Sequence, residues 1–275
     1  MPFSNDQLKL NFEQQGFVVL KQAFTKDEIE DFRELAYKQL EIDKQKNNVY
    51  SIPKSQAFYV KGDLLSKELL GKIVLDNRVL NLVRTVLGSN EITYFGDGSY
   101  QIGVGLRGYH RDNIDREYNN GPDWDGEYDI VRVGLYLQDH KKYSGGLKVK
   151  LGTHHNKTGT STILEIEEGD LVIWNLRTEH SGNAVRLKLL SDLPIDYFER
   201  FVPSFLKKDE QRERIACFFS YAKNGKHLQR YFEKYLQVNT NILEGLKRSR
   251  LNTVTLEDAK AKGLEILKPI PEYGM

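Results

Sequence analysis

Two stretches in the first ninety residues repeat their hydrophobic side chains with the period of an α-helix. In residues 25–41 the apolar positions fall on one helical face, and Thr25 with Glu28 three positions later matches a capping box. Residues 76–90 carry a second apolar stripe, which Gly88 is placed to end. The pattern therefore predicts two amphipathic helices, each with a recognisable end.

Short runs rich in β-branched and aromatic residues dominate the chain from about residue 91. Turn signals such as "YSGG" and "EEGD" separate them. Many short strands punctuated in this way favour a sandwich or jelly roll over βαβ units. The predicted strands lie in 91–106, 127–140, 147–154, 161–180 and 214–223, with an earlier strand in 16–24.

Two inserts and a C-terminal extension complete the predicted organisation. The chain shows no internal repeat and no low-complexity linker, so we expect one domain over residues 1–275. Its expected parts are a helical N-terminal support (1–90), a β core (91–225) with a polar, aromatic insert (113–126) and a longer insert (187–211), and a C-terminal extension (226–275) with helices at 229–248 and 255–267.

Composition narrows the class of protein. Forty Lys and Arg against 39 Asp and Glu leave a net charge of +1, which gives no reason to expect a nucleic-acid or membrane partner. One cysteine, Cys217, excludes an internal disulfide and a cysteine-based zinc cluster. No signal-like segment and no long apolar run is visible. We therefore expect a soluble cytoplasmic protein.

His110 and Asp112, in "GYHRDN", are the first candidates for chemistry. If they end one strand of a jelly roll, the run 169–182 can end beside them with His180. Two imidazoles and one carboxylate at one end of a barrel form a facial triad, which leaves open positions on Fe(II) for a chelating co-substrate and O2. The alternatives are a solvated His–Asp pair and a structural histidine.

An oxygenase of this kind also needs a cation for the far carboxylate of 2-oxoglutarate. An arginine in the strand after His180 would grip that carboxylate with two hydrogen bonds. "QRERIACFFSY" offers Arg212 and Arg214, which share one face by the strand period of two.

The chain resembles the phytanoyl-CoA dioxygenase-like oxygenases, which depend on Fe(II) and 2-oxoglutarate, over roughly residues 10–225. Five segments carry the resemblance in the same order as in the family: "FEQQGFVVLKQAFTKDEIEDFREL", "GYHRDN", "YSGGLKVKLGTHH", "EEGDLVIWNLRTEHSGN" and "RERIACFFSY".

The resemblance implies a double-stranded β-helix (jelly-roll) core with flanking helices, and iron held by His110, Asp112 and His180. Family members often place the 2-oxoglutarate arginine seven residues before an aromatic residue. That spacing selects Arg214, with Arg212 as the second candidate. Arg186 is a third, because the family arginine usually follows the distal histidine more closely. The presence of Asp112 argues against a halogenase.

Further side chains near the expected mouth are weaker candidates. Gln101 and Asn113 could contact the co-substrate. The acidic loop with Asp115 and Trp124 is either a solvated loop or a lid for a cationic or hydroxylated substrate.

We therefore expect an Fe(II)- and 2-oxoglutarate-dependent dioxygenase that uses O2 to hydroxylate a small polar metabolite or natural-product intermediate. The two alternatives are a jelly-roll binding module without turnover and a metal-dependent cupin enzyme that does not use 2-oxoglutarate. The sequence does not identify the substrate or the oligomeric state.

Overall fold

Six α-helices flank the sheets in the described part of the chain. The fold is that of a computed structural model, which describes residues 4–51, 58–60, 62–103, 108–189, 193–208 and 212–275. The helices are α1 (Asn5–Gln15), α2 (Lys26–Gln45), α3 (Asn77–Leu87), α4 (Lys226–Tyr231), α5 (Thr240–Arg248) and α6 (Thr253–Ala261). None of the helices described is long and apolar enough to cross a lipid bilayer.

Helices α2 and α3 form where the periodicity predicted them. The Thr25 side chain accepts the backbone N–H of Glu28, and the Glu28 side chain accepts that of Thr25, which confirms the capping box. Helix α3 ends at Gly88, whose φ of 60° is left-handed. Helix α1 was not predicted, because its apolar positions are few. A capping box between Ser4 and Gln7 defines its start.

Eleven strands in the described residues form two sheets. They are β1 (Phe17–Leu20), β2 (Val49–Ser51), β3 (Phe58–Val60), β4 (Ile92–Ile102), β5 (Ile130–Tyr136), β6 (Gly146–Lys150), β7 (Ser161–Ile163), β8 (Leu171–Asn175), β9 (His180–Ala184), β10 (Ile215–Ala222) and β11 (Leu264–Ile266). The large sheet has the order β1-β8-β5-β10-β4-β3-β2, with β11 parallel to β4, and the small sheet has the order β7-β6-β9. The predicted jelly-roll core with flanking helices is confirmed.

The two faces of the large sheet serve different purposes. Along β10, Cys217, Phe219 and Tyr221 pack into the main hydrophobic core, which also contains the apolar faces of α2 and α3. The alternate residues face the opposite side, where Phe218 lies beside Tyr136 and Trp174. Because side chains alternate along a strand, each site residue on this sheet has core residues as its neighbours in sequence.

Three predicted elements differ from those observed. The run 161–180 forms β7 and β8 and then turns, because the Asn175 side chain accepts the backbone N–H of Arg177 in an Asx turn. His180 therefore begins β9 in the small sheet and does not end a strand of the large one. The helix predicted over 229–248 is interrupted by a π-helical turn at Phe232–Leu236. The helix predicted over 255–267 ends at Ala261, and β11 follows.

The predicted strand 91–106 extends to Ile102, and its last three residues, 104–106, lie outside the described residues. In the 187–211 insert the helical pieces are two 3-10 segments, Asp196–Phe201 and Ser204–Leu206, while residues 190–192 and 209–211 lie outside the described part. Strands β1, β2 and β3 precede residue 91, so the N-terminal segment also contributes strands to the sheet.

Candidate metal centre

Backbone pairing brings the two candidate histidines together. His110 and His180 form an isolated antiparallel bridge, in which each backbone N–H donates to the carbonyl of the other at 2.9 Å. The backbone N–H of Asp112 donates to the carbonyl of Leu176 at 2.9 Å. The sequence suggested that His110 and Asp112 end a strand, and the structure shows that they do not. They lie in a bend that is docked against the chain on either side of the β8–β9 turn.

The three side chains meet at one point. One ligand atom from each of His110, Asp112 and His180 lies within 4.8 Å of the other two. The Nε2 of His110 is 3.6 Å from Oδ1 of Asp112, and the Nε2 of His180 is 3.5 Å from Oδ2. Of the residues described, this is the one cluster of three or more His, Cys, Asp or Glu side chains that has the spacing of a metal site.

Both imidazoles are oriented through their other nitrogen. The Nδ1 of His110 lies 2.9 Å from the carbonyl of Gly108, and the Nδ1 of His180 lies 2.9 Å from that of Thr178. A carbonyl only accepts hydrogen bonds, so each Nδ1 carries the proton and donates it. Each Nε2 then presents a lone pair to the centre, as in metal-binding histidines.

Burial and charge keep two of the three candidate ligands, His180 and Asp112, deprotonated. Burial lowers the pKa of His180 to about 4, and the charge of Asp112 only partly opposes that effect. The pKa of Asp112 is lowered: burial alone would raise it, but the charges of Arg132, His180 and His110 outweigh burial. Both groups therefore remain deprotonated at neutral pH, the state in which they bind a cation.

The donor set fits a divalent first-row metal such as Fe(II). Two imidazole nitrogens and one carboxylate are the ligands of the facial triad, and they leave further coordination positions open. Oδ2 of Asp112 is buried and makes no hydrogen bond in the described part of the chain, although Nη1 of Arg132 is 3.1 Å away. A buried carboxylate oxygen without a hydrogen bond is costly unless a cation satisfies it.

Arg132, on β5, connects this carboxylate to a second one. Its Nη2 lies 2.6 Å from Oδ2 of Asp97, and its Nε donates to Oγ of Ser220 at 3.1 Å. Asp97 also accepts hydrogen bonds from Ser220 and from Tyr231. The guanidinium is thereby fixed between two acids. Sequence analysis did not identify Arg132, although a lone arginine in the apolar run "IVRVGLY" was a usable signal.

The centre opens into a cavity of about 550 Å³, a volume typical of small-molecule sites. Its lining includes all three candidate ligands together with Gln101, Gly108, Tyr109, Arg116, Arg132, Tyr136, Leu147, Trp174, Gly182, Arg214, Phe218 and Tyr235.

Arg214 lines this cavity and is only 7% exposed. It immediately precedes β10. Its Nε donates to the carbonyl of Gly145 at 2.9 Å, and its Nη1 lies 3.4 Å from Oε1 of Gln101. The guanidinium carbon is 5.5 Å from the centre of the Tyr136 ring. Arg214 and Gln101 therefore line the same cavity as the three candidate metal ligands, and their role in binding 2-oxoglutarate stays a prediction.

The other two candidate arginines lie elsewhere. Arg212 forms ion pairs with Glu30, on α2, and with Glu168, and it does not line the cavity. The expectation that it shares a face with Arg214 is wrong, because Arg212 lies in a bend before the strand begins, where the period of two does not apply. Arg186 is buried behind the small sheet, with Nη2 3.2 Å from the carbonyl of Leu164.

Three weaker candidates also lie outside the cavity lining. Asn113 is buried, and its amide donates to the carbonyl of Asp115 at 2.7 Å. The Asp115 side chain accepts hydrogen bonds from Arg230 and from the backbone N–H of Asp123. The indole of Trp124 donates to the carbonyl of Asp115. These side chains build the loop and do not line the cavity.

Three further cavity residues were not found from the sequence. Tyr136 lies on β5, four positions after Arg132 and on the same face, and its hydroxyl is buried without a hydrogen bond among the described residues. Tyr235 comes from the π-helical turn in the C-terminal extension, where no local motif marked it. Arg116 comes from the 113–126 insert.

Solved structures with a similar fold cover most of the chain. The α-ketoglutarate-dependent epimerase SnoN from nogalamycin biosynthesis matches with a TM-score of 0.58 at 12% identity, over 80% of this chain and 82% of its own. The carbocyclase SnoK from the same biosynthesis matches at 0.56 and 15%, over 81% and 87%. HygX from Streptomyces hygroscopicus, with nickel and 2-oxoglutarate bound, matches at 0.54 and 17%, over 81% and 88%. At these identities the likeness is one of fold.

No curated protein matches the chain. The model of the family described as phytanoyl-CoA dioxygenase (PhyH) matches residues 12–186, which is more than half of the 275 residues and includes all three candidate metal ligands. The chain therefore belongs to the phytanoyl-CoA dioxygenase (PhyH) family, whose enzymes use Fe(II), 2-oxoglutarate and O2.

Proposed function

We propose that this member of the family is a hydroxylase of a small polar metabolite or natural-product intermediate, with iron held by His110, Asp112 and His180. One observation carries the proposal. Two Nε2 lone pairs and a carboxylate converge at the wall of a cavity that Arg214 also lines. A metal centre and a buried cation in one cavity are the two anchors that 2-oxoglutarate needs.

In the proposed reaction, 2-oxoglutarate, O2 and a substrate C–H bond give succinate, CO2 and the hydroxylated product. When bound, iron supplies the redox chemistry that activates O2 at the expense of 2-oxoglutarate. The protein orients both imidazoles through Gly108 and Thr178, keeps His180 and Asp112 deprotonated, and binds the co-substrate.

The far carboxylate of 2-oxoglutarate is assigned to Arg214. Its Nε is already used by the carbonyl of Gly145, which fixes the direction of the guanidinium. The buried hydroxyl of Tyr136 supplies a second donor, since nothing in the described part of the chain accepts its hydrogen bond. A carboxylate that accepts hydrogen bonds from both the Tyr136 hydroxyl and the Arg214 guanidinium is held in one orientation.

The natural-product part of the proposal is supported by the structural neighbours. HygX has been solved with hygromycin B, and SnoN with nogalamycin RO. Because the neighbours also include an epimerase and a carbocyclase, the hydroxylation of this chain's substrate is a proposal of its own. It is tested by mass analysis of the product under 18O2, where hydroxylation adds one labelled oxygen atom.

Calorimetric titration of the protein with 2-oxoglutarate, with and without Mn(II), tests the site. We expect micromolar affinity only with the metal, and its loss in His180→Ala and Arg214→Ala. Arg212→Ala is the matched control and should retain the affinity, because that side chain is engaged with Glu30 and Glu168.

Three results would contradict the proposal. Ligand binding that needs no metal would favour a jelly-roll binding module. Metal binding without 2-oxoglutarate affinity would favour a cupin enzyme of another kind. Unchanged affinity in Arg214→Ala would remove that residue from the co-substrate site.

A further inference from the structure

The 113–126 insert presents a cation to the cavity, although its sequence is acidic. Its sequence suggested either a solvated loop or a lid that offers carboxylates to a cationic or hydroxylated substrate. In the structure Arg116 is the residue of this insert that lines the cavity, and none of its acidic residues does so. The charge that faces the substrate therefore has the opposite sign to the net charge of the insert.

The acidic side chains at the base of the insert, Asp115 and Asp123, form ion pairs and hydrogen bonds within the protein. Asp123 is fully buried, pairs with Arg230 at 2.6 Å, and accepts the backbone N–H groups of Ile114 and Asp115. Asp115 pairs with Arg230 at 2.8 Å and accepts the backbone N–H of Asp123. Arg230, on α4, thus offsets much of the negative charge of both carboxylates and anchors the insert to the C-terminal extension.

The backbone at Arg116 is fixed, whereas its side chain is available. The carbonyl of Arg116 accepts a hydrogen bond from Nη1 of Arg111 at 3.3 Å. The backbone N–H of Arg116 donates to the carbonyl of Ile114 at 3.2 Å. In the part of the chain that the structure describes, the guanidinium of Arg116 makes no hydrogen bond and no ion pair. The Arg116 side chain is exposed at the cavity, so it is accessible to an anion, which would order the guanidinium on binding.

The other cations of the cavity already have assigned partners. Arg132 lies between Asp97 and Asp112, and Arg214 is assigned to the far carboxylate of 2-oxoglutarate. Of the charged side chains that line the cavity, three are arginines and one, Asp112, is acidic. Arg116 also acts on Asp112 through its charge, but among the described residues it has no ion-pair partner, and no group of 2-oxoglutarate is assigned to it.

We propose that Arg116 selects a small-molecule substrate that carries a carboxylate or phosphate group. The inference rests on the proposed function and specifies its substrate class. Tyr235, which lines the same cavity from the π-helical turn, is a neighbouring side chain for that substrate. Arg116 acts here as a specificity-determining residue and not as a ligand of the co-substrate.

The test uses the full chain loaded with Mn(II) and 2-oxoglutarate, so that binding is measured without turnover. The probes are matched pairs: carboxylic acids with their methyl esters, and phosphate monoesters with their parent alcohols, starting from benzoate and phenyl phosphate. We expect binding of the anionic member and not of its neutral partner. The two arms identify which of the two anionic groups the site prefers.

Variants then assign the preference to one side chain. Arg116→Gln should weaken binding of the anionic probe by about tenfold to a hundredfold, as expected for the loss of a charge-assisted contact. Arg116→Lys should retain part of it. Both variants should leave the dissociation constant of 2-oxoglutarate unchanged. Lys157→Ala, which removes an exposed cation that does not line the cavity, is the matched control.

Several results would overturn the inference. Equal binding of the neutral and anionic members would show that the site does not distinguish probes by their charge. A loss of 2-oxoglutarate affinity in Arg116→Gln would make Arg116 a co-substrate residue instead. If the wild-type protein binds no 2-oxoglutarate with Mn(II), the proposed function fails and this inference fails with it. If 2-oxoglutarate binds but the anionic probes are not preferred, only this inference fails, so the two failures are distinguishable.

Discussion

Arg132 is the residue whose removal should separate the stability of the apoprotein from that of the metal-loaded protein. In Arg132→Met the apolar stem is kept and the guanidinium is lost. Asp97 and Asp112, at 2.6 Å and 3.1 Å from the guanidinium, then lose their common counter-charge. Two acids at the edge of a cavity are left without compensation.

The size of the effect follows from how buried the pair is. Breaking a buried ion pair by removing one partner costs about 3–5 kcal/mol. The Arg132 side chain is 18% exposed, so water in the cavity screens part of the loss, and we expect about 3 kcal/mol in the apoprotein. For a chain of this size that corresponds to a fall in melting temperature of roughly 6–10 °C.

A bound dication changes the result at one of the two acids. With Mn(II) at the centre, Asp112 again has a counter-charge. Asp97 then has no counter-charge and keeps only its hydrogen bonds from Ser220 and Tyr231. We expect the loss of stability to fall to roughly half, about 1.5 kcal/mol. By linkage, a loss that is smaller by about 1.5 kcal/mol in the loaded protein requires metal affinity to rise by about tenfold, because the guanidinium that competes with the metal for Asp112 is gone.

The assay is urea unfolding with and without Mn(II), combined with a direct titration of the metal. Arg212→Met is the matched control: it also breaks two ion pairs, but its side chain is 27% exposed and lies outside the cavity. It should cost less than about 1 kcal/mol and leave metal affinity unchanged. Equal losses in the apo and metal-loaded Arg132→Met protein would refute the reasoning.

Three further outcomes are expected. Tyr136→Phe should weaken 2-oxoglutarate binding by about threefold to tenfold without lowering apoprotein stability, because its hydroxyl is buried without a hydrogen bond in the described residues; an unchanged affinity in calorimetry would contradict this. Burial, aided by the charges of Arg214 and Arg186, lowers the pKa of His140 from 6.5 to about 3. The unfolded chain therefore binds more protons between these values, and stability falls as pH falls from about 6.5 towards 3, by up to about 1.4 kcal/mol per unit from this group; urea midpoints at pH 7 and pH 5 should lie closer together in His140→Gln. Gly121 has a φ of 127°, and a Cβ there would lie 2.4 Å from the Asp115 carboxyl carbon, so Gly121→Ala should speed hydrogen exchange in residues 113–126 while Mn(II) affinity is retained; an unaltered exchange rate would show that the insert tolerates the side chain.

The local sequence was enough to predict most of the regular structure. Capping residues and the apolar stripes defined α2 and α3, and β-branched runs marked the strands of the core, because these signals act between residues a few positions apart. The three residues of the candidate centre were also visible in the sequence, although their role stays a prediction. The local signals did not predict the turn after Asn175 or the π-helical turn before Gln237.

Only the tertiary structure separated Arg214 from Arg212: Arg214 lines the cavity, whereas Arg212, in a bend two residues earlier, pairs with Glu30 and Glu168. It also reversed the charge that the insert presents, because Arg230, more than one hundred positions away, neutralises Asp115 and Asp123 and leaves Arg116 facing the cavity. Sequence patterns record the chemistry of each side chain and its nearest neighbours. Which charges remain without partners depends on contacts between distant segments, and those exist only in the folded chain.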